Sequence, residues 1–149
     1  MMSGTIVPYR EEDHDALVEI WHRAVVHTHT FLEAEDIQFY HQIVRDGALR
    51  NVEIWIERSE STPVGFIGLN GTKIEMLFVD PDFHGKGVGT RLIDHAKKIK
   101  GGHLQVDVNE QNEGAYVFYK RLGFVRIGRS EVDPSGRAYP LLHLELKND

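Results

Sequence analysis

Three glycines alternate along His84-Gly85-Lys86-Gly87-Val88-Gly89-Thr90, just after an apolar run ending at Val79 and at the start of an amphipathic stretch. The chemistry open to such a turn is anion binding. Glycine lets the main chain approach a phosphate closely, and N–H groups at a helix start add the favourable field of the helix dipole. A pyrophosphate suits the site, with a plain tight turn as the alternative reading of a Gly-x-Gly-x-Gly run taken alone. Two other phosphate motifs do not fit. The P-loop needs Gly-x-x-x-x-Gly-Lys-Ser/Thr, whereas here Lys86 precedes Val88-Gly89-Thr90. The Rossmann fingerprint opens the first β-α-β unit of a parallel sheet, and this turn comes late in the chain, after a meander.

Other chemistries are removed by what is missing. The chain has no cysteine, so disulfides, thiolate metal sites and a cysteinyl nucleophile are all excluded. No serine sits in a Gly-x-Ser-x-Gly setting, which removes the serine hydrolase elbow. With 149 residues, 41% of them hydrophobic, one domain spanning 1–149 is expected. A formal charge of −6 with no Lys/Arg cluster argues against nucleic acid as a partner. No apolar run approaches the roughly 20 residues of a bilayer span, and Met1 to Tyr9 lacks the features of a signal peptide, so a cytoplasmic protein with no membrane partner is expected.

The elements that must position the turn follow from periodicity. Thr5 to Pro8 is a short β-branched run, and Ala16, Leu17, Ile20, Trp21, Ala24 and Val25 then recur at helical spacing. His27 to Leu32 breaks the pattern before a second helix over Glu33 to Val44, ending near Gly47. From Val52 the period becomes two, and Val52–Ile56, Val64–Leu69 and Ile74–Val79 form a meander with turns at Glu60–Pro63 and Asn70-Gly71. Gly87 to Lys100 is an amphipathic helix, Leu104 to Val108 a strand, and Glu113 to Leu122 a short helix stopped by Gly123. Phe124–Ile127 and Tyr139–Leu146 make a last hairpin. The fold class predicted is a mixed α/β (α+β) sheet of about seven strands, mostly antiparallel, with four helices on both faces. Its one parallel pair is Ile74–Val79 with Leu104–Val108, joined by a crossover helix.

With its motifs in place, the chain resembles the GNAT superfamily of N-acetyltransferases. The family motif Gln/Arg-x-x-Gly-x-Gly/Ala, after a strand ending in a Val-x-Pro-like turn, is matched by Leu77-Phe78-Val79-Asp80-Pro81 and His84 to Gly89. A second motif is matched by Asn112, Ala115, Tyr119, Gly123 and Phe124. The likeness covers essentially the whole chain and is closest to small bacterial single-domain members, some of which acetylate protein lysines. It implies acetyl-CoA as acetyl donor, a splayed central parallel pair, and transfer to a primary amine of a protein or small molecule. It further implies that main-chain groups of Leu77, Phe78 and Val79 pair with the pantetheine arm. Main-chain N–H groups across Gly85, Lys86, Gly87, Val88, Gly89 and Thr90 would hold the pyrophosphate, and Asn112 would bind the cofactor arm. His84 departs from the family's Gln or Arg, and cofactor affinity is expected to fall as pH rises through the imidazole range.

An amine acceptor sets the next demand. A lysine amine with a pKa near 10.4 is neutral in about one molecule in 2,500 at pH 7, at a cost of roughly 4 to 5 kcal/mol unless a base helps. Asp107, near the splay, is the leading candidate, a position that often holds a glutamate base in related enzymes; Glu75 is second and Glu110 third. A solvated strand-face carboxylate is the alternative reading of Asp107. Tyr119 is expected to protonate the departing thiolate, the alternative being a core residue on a short helix. His29, Phe31 and Tyr139 are candidates to line the acceptor site, with Phe39 and Tyr40 behind them. His27-Thr28-His29 lacks a third ligand, and no metal is expected. An acetyl-CoA sensor without catalysis and a nucleotide-binding turn stay open as alternatives, as do the acceptor's identity and a homodimer.

Overall fold

A computed structural model describes residues 5–28 and 32–147 of the chain. In chain order they form β1 (Thr5–Pro8), α1 (His14–Thr28), α2 (Ala34–Asp46), β2 (Glu53–Ser59), β3 (Thr62–Asn70), β4 (Lys73–Val79), α3 (Val88–Lys100), β5 (His103–Asn109), α4 (Glu113–Arg121), β6 (Val125–Ser130) and β7 (Leu141–Lys147). One seven-stranded sheet has the order β1-β2-β3-β4-β5-β7-β6. Every neighbouring pair is antiparallel except β4 and β5. The class, the element order and the crossover helix agree with the periodicity, and strand limits move by one to three residues.

Alternation splits the apolar residues into two cores. Leu17, Ile20, Trp21 and Val25 of α1 pack on Ile54, Ile56 and Phe66 from one sheet face. Leu92, Ile93 and Ala96 of α3 and Tyr119 of α4 pack on Ile67, Val106, Val108 and Leu144 from the other. Because successive strand residues point to opposite faces, Gln105, Asp107 and Asn109 must lie opposite the α3 side that takes Leu104, Val106 and Val108. Among the described residues, no helix is long and apolar enough to cross a membrane.

Two features place the glycine turn. At Gly65 of β3 an added Cβ would lie 2.7 Å from Cγ1 of Val88, so only glycine lets the start of α3 settle this close to the sheet. The parallel pairing of β4 with β5 is short, matching Lys73 with Gln105 and Ile74 with Val106. Beyond those positions both strands run on to Val79 and Asn109, leaving a gap between them.

Candidate active site

A cleft of about 840 Å³ opens at that gap. The end of α1 contributes Ala24, His27 and Thr28, and β4 contributes Leu77, Phe78 and Val79. The glycine turn supplies Gly85, Gly87, Val88, Gly89 and Thr90 at one end, and Asn112, Phe118 and Tyr119 close the other. The structure thus brings together most of the residues predicted to bind a cofactor. Phe83, Gln111, Glu113, Gly114 and Phe118 join them without having been singled out, since residues beside a motif carry no signal of their own.

The turn meets the requirements of an anion site. Gly85 and Gly87 have φ of 76° and 83°, left-handed values that glycine adopts without strain. A Cβ built at Gly85 would meet nothing within 4 Å, so the main chain there is bare. The cap residue of α3, Gly87, offers no side-chain cap, and the first turn carries no acidic residue to compete with an anion for the N–H groups. His84 lies at the rim with its ring turned back on β4, Nε2 standing 3.0 Å from the Val79 carbonyl oxygen. His27 of α1 meets that ring edge-on at 5.5 Å.

At the far end, Tyr119 is 6% exposed, and burial raises its phenol well above the usual tyrosine value. It packs edge-on against Phe118 and Phe124, which fix the ring where the helix meets the cleft. Asn112 lines the cleft too, and its side-chain oxygen accepts a hydrogen bond from the Ala115 N–H at 3.1 Å, capping α4. Asn112 therefore fixes the approach of the helix that carries Tyr119.

Asp107 and Glu75 do not border this cleft. They lie where the β4–β5 pairing ends, Asp107 one residue past the last matched position. Lys73 Nζ donates to one Asp107 oxygen at 2.9 Å, and the His143 ring Nδ1 stands 2.7 Å from the other. Ser130 Oγ is 2.7 Å from the opposite ring nitrogen, so a polar chain crosses β4, β5, β7 and β6. Burial alone would raise the Asp107 carboxyl, but the hydrogen bonds from His143 and Lys73 outweigh it and hold the pKa below the ordinary carboxylate value. Glu75 is exposed, 3.7 Å from the same Lys73. Glu110 is held by Arg129 at 2.7 Å.

A depressed carboxylate pKa stabilises the fold above the unfolded value, near 3.9, and that contribution is lost as pH falls through the folded value. Asp107→Asn is therefore expected to cost about 1–2 kcal/mol at pH 7, the exposed lysine end being screened. The gap to wild type should narrow below about pH 4, as denaturant titrations at several pH values will show.

On the acceptor side, the aromatic candidates Tyr139, Tyr40 and Phe39 are held in contacts between α2 and the β6–β7 connection. Tyr139 donates its hydroxyl proton to Asp36 of α2, and Arg137 donates to the same carboxylate at 2.8 Å. Tyr40 donates to Asp133, and the Arg137 guanidinium lies 3.7 Å from the Phe39 ring centroid. These contacts strap the β6–β7 connection to α2. His29 and Phe31 lie outside the described residues. His143 and Lys73 carry no pattern in the sequence, because only the strand register puts them beside Asp107.

The geometry can be set beside known proteins. Residues 23–139 match the family described as acetyltransferase (GNAT) domain. The peptidyl-lysine N-acetyltransferase YjaB of Escherichia coli is 46% identical over 136 residues, 91% of each chain. YjaB of Salmonella typhimurium is 42% identical over 136 residues, 91% of this chain and 92% of that one. The solution structure of apo-form YjaB from Escherichia coli superimposes with a TM-score of 0.91 at 43% identity, covering 100% of both chains. A GCN5-related N-acetyltransferase structure from Rhodopseudomonas palustris has a TM-score of 0.84 at 26% identity, covering 99% of this chain and 98% of that one. An open seven-stranded sheet split at its one parallel pair, a glycine turn at the split and this breadth of likeness together make the chain a member of the GNAT acetyltransferase family.

Proposed function

We propose that the protein transfers an acetyl group directly from acetyl-CoA to the ε-amine of lysine side chains in proteins. The observation that carries this reading is the cleft itself, with a bare glycine turn at one end and a buried tyrosine at the other. The peptidyl-lysine activity named for the YjaB relatives supports lysine as acceptor. Acetyl-CoA supplies a thioester, an acyl group already activated for attack by an amine.

The chain's own residues would do the rest. Amides of Gly85 to Thr90 hold the diphosphate, and the main chain of Leu77 to Val79 aligns the arm along the gap. The amine nitrogen forms a bond to the acyl carbon, the carbon–sulfur bond breaks, and the sulfur leaves as a thiolate. Tyr119 gives that sulfur its proton and is reprotonated from solvent. Burial disfavours a bare thiolate as it does a phenolate, so the two groups share one penalty and the transfer stays feasible.

The amine's proton passes through water to the pair of Asp107 and His143, which stands beyond the cleft lining. Asp107 holds two hydrogen bonds, so its part is to orient and charge-stabilise the imidazole, which takes the proton. Glu75 at the same crotch is the next acceptor in line. His143→Gln is expected to lower kcat/KM by about 10- to 100-fold while leaving acetyl-CoA affinity nearly unchanged, as steady-state kinetics beside a binding titration will show. Free-thiol release measured with a lysine peptide, against a reaction lacking peptide, tests the whole reading. Release independent of the amine would leave a thioester hydrolase instead, and no release at all a binding module.

A further inference from the structure

Glu57 of β2 is 1% exposed, a carboxylate buried in the layer between the sheet and α3. The Arg91 guanidinium holds it with two donors, Nε to Oε1 at 2.9 Å and Nη2 to Oε2 at 2.7 Å. The third arm of the fork, Nη1, donates to the Lys86 carbonyl oxygen at 3.0 Å. Arg91 is thus tied to a buried anchor on one side and to the glycine turn on the other. It does not itself line the cleft, and its charge is already matched by Glu57.

That third contact has a directional consequence. No peptide bond here is cis, and in a trans peptide the carbonyl and the following N–H point to opposite sides. With the Lys86 carbonyl held toward Arg91, the Gly87 N–H must point away from that guanidinium, and Gly85 and Gly87 both border the cleft. The Arg91 fork passes close to the turn, since a Cβ at Gly87 would lie 2.8 Å from Arg91 Nη1.

We infer that Arg91, anchored by buried Glu57, is a positioning residue that aims the Gly87 amide at the anionic end of the donor, and so sets the preference for a diphosphate-bearing thiol over the bare pantetheine arm. The inference rests on the donor reading given above. A guanidinium is required because its rigid fork reaches both oxygens of Glu57 and the Lys86 carbonyl at once, whereas an ammonium is a single point charge.

The test compares binding of coenzyme A and of pantetheine by calorimetry or NMR titration, for wild type and two variants. Arg91→Lys keeps a cation beside Glu57, and the double variant Glu57→Leu with Arg91→Leu removes both charges, so a folding defect in one does not carry over to the other. Both variants should weaken coenzyme A by about 10- to 100-fold while pantetheine affinity stays within about twofold. Variants that keep the wild-type ratio of the two affinities would overturn the positioning role and leave the donor reading intact. A wild-type protein that does not discriminate between the two ligands, or takes up neither, would overturn both.

Discussion

Replacing Tyr119 by phenylalanine is expected to lower kcat by about 10- to 1,000-fold while the affinity for acetyl-CoA stays nearly constant. The substitution removes one oxygen from a ring whose position is set by Phe118, Phe124 and the core around α4, so packing should survive it. The ring is 6% exposed and its phenol is raised by burial, so at neutral pH the group is present as a proton donor. Without it the sulfur must leave as a thiolate in a site that penalises charge. Steady-state kinetics paired with a calorimetric titration separates this from damage to the cleft, since a damaged cleft would lose both parameters together. Unchanged turnover in the variant would remove Tyr119 from the chemistry and leave it as a core residue.

Gly87→Val should abolish donor binding in practice, weakening acetyl-CoA by about 100-fold or more. Two costs add at this position. A β-branched residue would have to adopt φ of 83°, where strain is on the order of 1–3 kcal/mol. Its Cβ would also lie 2.8 Å from Arg91 Nη1, and displacing that fork disturbs its hold on Glu57. Gly85→Ala supplies the graded comparison. The same left-handed strain applies at φ of 76°, but the added Cβ meets nothing within 4 Å, so a loss of about 10-fold is expected. Titration of both variants orders the two effects, and equal losses would mean that backbone strain alone decides.

Periodicity carried the reading of the fold a long way because each element here announces itself locally. Leu92, Ile93 and Ala96 keep helical spacing on α3, and Leu104, Val106 and Val108 alternate on β5, as their burial in one core bears out. The glycine turn and its place before a helix were legible for the same reason. What stayed hidden depends on contacts between distant segments. His143 stands beside Asp107 only through the β5–β7 register, 36 residues away in sequence. Tyr139, read as a candidate to line the acceptor site, ties a connection to α2 through Asp36, 103 residues distant. Nothing local in the sequence marks Arg91 or Glu57 as partners, since β2 and α3 bring them together. Asn112 illustrates a finer limit, since one side chain can border a cleft and cap a helix together, and only geometry shows the second task.

The fate of the acetyl carbon decides most directly whether the cleft between β4 and β5 serves amine acetylation. Protein incubated with a lysine-containing peptide and isotopically labelled acetyl-CoA, then sequenced by tandem mass spectrometry, should yield the label on the lysine ε-nitrogen. The yield should grow with enzyme concentration and fall in the Tyr119→Phe variant. Label released as acetate, or peptide recovered unmodified while the thioester is consumed, would contradict it.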